Sequence, residues 1–84
     1  MRIVWDEPKQ QSNLVKHGMD FANIGPEFFE YALVGTAKDG RLSAIGELDG
    51  IVTVIFMQLG SEALSVISLR PASVKEKKAY AEGF

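Results

Sequence analysis

The spacing of apolar and polar residues divides the 84-residue chain into seven segments. Arg2 to Trp5 is short, apolar and β-branched at its centre, and it predicts a first strand. The next stretch is mostly polar. Asp6 can cap a helix there, Pro8 fits its first turn, and Gly18 is placed to end it near Lys16 or His17. Leu14 and Val15 are the apolar anchors of this helix, which is expected on the surface. Asp20 is the next candidate cap. Phe21 and Ile24 open a helical pattern that Gly25-Pro26 interrupts, predicting a kinked helix or two pieces. Gly25, Phe28, Phe29 and Ala32 then follow at helical spacing, and the two phenylalanines are expected to plug the core.

Three strands come next, Arg41 to Glu47, Ile51 to Met57 and Ala63 to Leu69. Asp49-Gly50 between the first two signals a two-residue hairpin turn. The second strand is apolar almost throughout, as a central strand covered on both faces is. Pro71 ends the third, because proline has no N–H for the ladder. Ser73 and Glu76 have the spacing of a capping box, so a helix carrying Lys75, Lys77 and Lys78 starts at once. The order of strand, helix, helix, three-stranded meander and helix predicts one α+β domain over residues 1–84, with a mostly antiparallel sheet.

Composition narrows the function classes. Hydrophobic residues make up 46% and charged residues 24%, as in a globular protein. The absence of cysteine excludes disulfides and thiolate metal sites, and a single histidine argues against a histidine-rich one. Charge begins at Arg2, unlike a signal peptide, and no apolar run approaches the ~20 residues of a membrane span, so a cytoplasmic location is expected. No phosphate-binding glycine loop, dinucleotide fingerprint or nucleophile elbow is present, and neither metal nor cofactor is expected. The net charge of −2 argues against a general nucleic-acid binder, but charge is unevenly placed. Residues 70–84 carry +2, while residues 20–37 carry −3.

A few residues are candidates for chemistry. His17 lies at a predicted helix C-terminus and can transfer protons, contact phosphate or simply cap the helix. Lys9 and Lys16 are seven apart on the first helix, nearly on one face, either facing phosphate or solvated. Arg41 opens the first meander strand and Arg70 closes the last. A plain meander sets these two at opposite ends, so they are not expected to meet unless the strands are offset. The planar guanidinium of Arg70 can grip two phosphate oxygens, or can pair with Glu47 or Glu76. Tyr80, one turn beyond Glu76, can stack on a base or pin the helix to the sheet.

These residues also carry a resemblance. Trp5-Asp6-Glu7-Pro8-Lys9, Asn13 and Lys16-His17-Gly18-Met19-Asp20-Phe21 resemble the opening of BrnT-type toxins. Arg41 with Ala44-Ile45-Gly46 is similar to the middle strand of that family. Ile67-Ser68-Leu69-Arg70-Pro71-Ala72-Ser73, with Glu76 and Tyr80, resembles its C-terminal signature. The resemblance implies a RelE-like fold and metal-independent RNA cleavage that halts translation. It also implies a BrnA-type ribbon–helix–helix antitoxin in a 2:2 complex, through which alone operator DNA would be bound. Arg70, His17, Arg41 and Lys9 are then the expected catalytic residues, with His17 moving the proton. Lys16, Lys77, Lys78 and Tyr80 are the expected RNA-binding residues. Members of the family commonly carry arginine where this chain has Leu59, Ser65, Lys77 and Ile51, and lysine is no equal substitute for a bidentate grip. The alternative is a catalytically weakened or inactive relative that only pairs with its antitoxin or another protein partner.

Overall fold

The computed structural model describes residues 1–83. The element order is β1 (Arg2–Trp5), α1 (Glu7–His17), α2 (Pro26–Glu30), β2 (Leu33–Thr36), β3 (Leu42–Glu47), β4 (Ile51–Leu59), β5 (Ala63–Pro71) and α3 (Val74–Glu82). All five strands form one sheet in the order β1-β5-β4-β3-β2, antiparallel except where β1 joins β5. The α+β class is as expected. The sheet has one more strand than the sequence pattern implies, since β2 adds an edge to the meander.

One sheet face packs on the helical segment between α1 and β2. Ala44, Val52, Val54, Phe56, Leu64, Val66 and Leu69 meet Phe21, Ile24 and Phe28 in a buried cluster. Trp5 meets Phe21 edge-on, and Phe29 stands edge-on between Phe28 and Phe56. Gly46 lets α2 approach closely, because a methyl there would fall 2.9 Å from the Phe28 ring.

The other face is set by a register shift. Val54 pairs with Leu69 and Ile55 with Ser68, but Phe56 pairs with Val66, which leaves Ile67 as a bulge. The bulge changes the phase of β5, so that Leu69 faces the core while Ser68 and Arg70 face away from it. Without it, Arg70 would share a face with buried Leu64 and Val66. One row on this second face, Leu33, Ile45, Thr53 and Arg70, crosses four strands at the same level. The sheet-facing side of α3 lies over that row, with Glu76 against Arg70 and Gly83 against Leu33. This cover accounts for the full burial of Thr53 and for Ile45 at 8% exposure. The next row, Gly35, Ser43, Ile55 and Ser68, lies beyond α3.

Two local expectations are corrected. The anchor of α1 is Asn13, which is buried, while Leu14 and Val15 are 39% and 89% exposed. The β3–β4 connection has three residues, because Glu47 pairs with Ile51 and Leu48 leaves the strand to pack against the core. Asp49 and Gly50 still supply the positive φ angles that the turn requires. Asp6 occupies the N-cap position of α1 without a side-chain hydrogen bond, whereas Gly18 ends the helix in the left-handed conformation.

Candidate functional site

Asn13 fixes α1 along the outer edge of β5. Its amide nitrogen donates to the carbonyls of Leu69 (2.8 Å) and Met19 (3.0 Å), and its oxygen accepts from the Leu69 N–H (3.0 Å). The pairing of β1 with β5 stops at Val66, so Leu69 has no strand neighbour on that side. The Asn13 amide therefore continues the ladder where β1 ends. Held in this way, α1 turns Lys9, Ser12, Lys16 and His17 toward Ile67 and Ser68, and these residues line a recess of about 220 Å³.

A second recess, of about 370 Å³, lies one strand further across the sheet. It is lined by Thr36, Ala37, Lys38, Arg41, Ser43, Ile55, Arg70 and Glu76. Ser68 of the first recess pairs with Ile55 of the second, so the two are neighbours across the open face. Arg41 and Arg70 thus border one groove. β3 starts level with the middle of β5, since Leu42 pairs with Phe56 and Phe56 with Val66.

Arg70 does not stand free. Its two terminal nitrogens donate to Glu76 Oε1 (2.6 Å) and Oε2 (2.9 Å). Glu76 also completes the capping box, accepting from the Ser73 N–H (2.8 Å) while its own N–H donates to Ser73 Oγ (3.1 Å). The Arg70 hydrogen bonds, opposed by partial burial and helped by the Ser73 N–H, hold the Glu76 carboxyl at about 2, against an ordinary 4.5. The buried Thr53 hydroxyl adds a weaker contribution from outside good hydrogen-bonding geometry. The same contact with Glu76 raises the guanidinium of Arg70 above its usual value.

The depressed Glu76 value has a measurable consequence. Its contribution to stability is complete above about pH 4.5 and is lost as the pH falls toward about 2. A shift of that size is worth about 3 kcal/mol at most. The two side chains are 34% and 23% exposed, and solvent screening reduces the figure to about 1–2 kcal/mol. Denaturant unfolding at about pH 6 and about pH 3 should therefore show Glu76→Gln destabilised at the higher pH and by less than half as much at the lower one.

Arg70–Glu76 is the only ion pair among the described residues. Lys9, Lys16, Lys38 and Arg41 border the open face without a carboxylate partner among those residues. Lys38 was not singled out by sequence reasoning, because only the β2–β3 connection brings it to the groove. The other expected RNA-binding residues lie elsewhere. Lys77 and Lys78 are exposed on α3, which contributes only Glu76 to the groove lining. Tyr80 is half-buried and lines a separate recess with Gly25, Glu27, Phe28, Tyr31, Glu47 and Leu48. Among the described residues no cluster of three His, Asp or Glu side chains is arranged to hold a metal ion.

Residues 5–76 match the family described as "Ribonuclease toxin, BrnT, of type II toxin-antitoxin system". The chain belongs to the BrnT family. A solved relative, the ribonuclease toxin BrnT of Brucella abortus known from a 1.1 Å crystal structure, is 57% identical. The match covers 87% of this chain and 97% of that one, with a TM-score of 0.82. No curated protein sequence matches. In this BrnT-family chain, the segment matched ends at Glu76 and so includes both recesses and the Arg70–Glu76 pair. Membership of a type II toxin–antitoxin family also implies an antitoxin partner. Among the described residues no helix is long and apolar enough to cross a membrane.

Proposed function

We propose that this BrnT-family chain is a metal-independent endoribonuclease that inhibits translation and is neutralised by a BrnA-type antitoxin. The observation that carries this reading is the set of cations without a carboxylate partner on both sides of a sheet floor made by Ser43, Ile55 and Ser68. Phosphodiesters are the natural counter-charge for such a surface.

The chemistry needs no group beyond the side chains. A ribose 2′-oxygen gives its proton to His17 and bonds to the adjacent phosphorus. The 5′-oxygen of the next nucleotide leaves and takes up a proton, so a cyclic phosphate and a free hydroxyl remain. Arg41, Arg70 and Lys9 stabilise the charge on the crowded phosphorane, and Lys16 holds the strand beside it. Lys77 and Lys78 contact the more distant backbone. The antitoxin is a ribbon–helix–helix protein in a 2:2 complex, and it alone contacts operator DNA.

A second reading has one observation in its favour. Glu76 fills the fork of Arg70 that would otherwise grip a phosphate. This arrangement suits a weakened enzyme whose main role is to pair with its antitoxin. Induced expression in bacteria separates the two. The enzymatic reading predicts growth arrest with RNA breakdown, relieved when a neighbouring ribbon–helix–helix gene is co-expressed. Unimpaired growth with intact RNA supports the binding-only protein.

A further inference from the structure

β4 sends alternate side chains to the open face, and the outermost of them have no cover. Thr53 lies under α3 and Ile55 lines the groove, while Met57 and Leu59 are 42% and 47% exposed. Residues on one face of a strand are spaced by about 6.8 Å, so Ile55, Met57 and Leu59 form a continuous apolar row. The neighbours of this row on β5 are small, with Ser68 beside Ile55, Ser65 beside Met57 and Ala63 beside Leu59. On β3, Ser43 stands beside Ile55, and Arg41, one residue before Leu42, falls level with Met57. The row is therefore a low apolar ridge that leads out of the cationic groove, with a guanidinium side chain alongside.

We infer that the Ile55–Met57–Leu59 row is a platform for the unstacked bases of single-stranded RNA whose phosphates lie on Lys38, Arg41 and the α1 lysines. This inference rests on the ribonuclease reading. A single strand presents charge and flat apolar rings along the same length, and this face presents cations and an apolar ridge in the same adjacency. Duplex RNA keeps its bases stacked and turned inward, where the ridge cannot reach them. Single-strand binders usually stack bases on aromatic rings. Here the aromatic residues of the strands, Trp5 and Phe56, both pack toward the core. The methionine thioether takes that role, since polarizable sulfur makes favourable contacts with aromatic rings. Leu59 adds contact area. The three side chains offer no hydrogen-bonding group, so the platform reads base shape without strong sequence preference.

The test measures equilibrium binding of the full chain to 2′-O-methyl oligonucleotides, which lack the attacking hydroxyl and stay intact. The probes are a base-bearing single strand, an abasic strand with the same backbone, and a duplex. The wild-type chain should bind the base-bearing strand about tenfold more tightly than the abasic one, and the duplex no better than the abasic strand. Met57→Ser/Leu59→Ser should abolish the base-dependent difference and leave the salt dependence, which counts phosphate contacts, unchanged. Arg41→Ala should lower the salt dependence and keep the difference. Both substituted apolar residues are substantially exposed, and circular dichroism verifies that the variant is folded. If the variant retains the base-dependent difference, the inference is overturned; the ridge is then a patch for a protein partner, and the ribonuclease reading stands. If the wild-type chain binds none of the probes at low salt, this inference is overturned, and cleavage assayed with and without ribosomes decides the ribonuclease reading.

Discussion

Replacing Arg70 by alanine is expected to lower RNA cleavage by about a hundredfold or more, the usual cost of removing a donor aimed at transition-state charge. Two effects combine. The groove loses an arginine that the bulge at Ile67 turns to the open face. Glu76 meanwhile keeps its charge without the guanidinium that neutralised it, and so repels the incoming phosphate. The cost in stability is modest, about 1 kcal/mol for a partly exposed pair, so the loss of activity should exceed any loss of fold. Arg70→Lys restores a charge but not the bidentate fork, and it should recover stability more fully than rate. Initial cleavage rates measured alongside thermal melts separate the two quantities. Undiminished cleavage by Arg70→Ala would place the chemistry elsewhere on the groove.

Replacing Asn13 by leucine should have the largest effect on stability of any single change considered. The two residues are similar in size, so the change removes hydrogen bonds without opening a large cavity. It strands the N–H and C=O of Leu69, a residue at 1% exposure, at a sheet edge that β1 does not reach. Each stranded buried group costs about 1–3 kcal/mol, so the total should be about 3 kcal/mol. In a domain of this size that lowers Tm by about 15 °C. The same change frees α1, and with it Lys9, Lys16 and His17, from a fixed position over β5. Cleavage should therefore fall even at temperatures where the variant is folded. A loss below about 1 kcal/mol would mean that water takes over the contacts of the amide.

The sequence exposed what depends on local chemistry. The Ser73–Glu76 capping box, the left-handed Gly18 and the three long meander strands all follow from short-range rules, and the structure has them. It concealed what depends on tertiary contact. β2 is four exposed or half-buried residues that include Gly35, and only pairing with β3 makes it a strand. Asn13 is one polar residue on a polar helix, and nothing near it in the chain announces a buried contact 56 residues away. Leu14 and Val15 looked like anchors by polarity alone, yet the helix faces the sheet with its amide side. Arg41 and Arg70 share a groove because of strand offset and a bulge, which are properties of register that composition does not encode. The pairing of Arg70 with Glu76 was legible as one of two options. That a single carboxylate both caps α3 and grips Arg70 is visible only in three dimensions.

The most direct test of the central claim is RNA cleavage by the purified chain in excess chelator, with Arg41→Ala/Arg70→Ala as the comparison. The account predicts cleavage that resists chelation, leaves cyclic phosphate and 5′-hydroxyl ends, and disappears in the double variant. Intact RNA in the presence of folded, monodisperse wild-type protein, with ribosomes as well as without them, would contradict the account and leave the chain as a partner-binding member of its family.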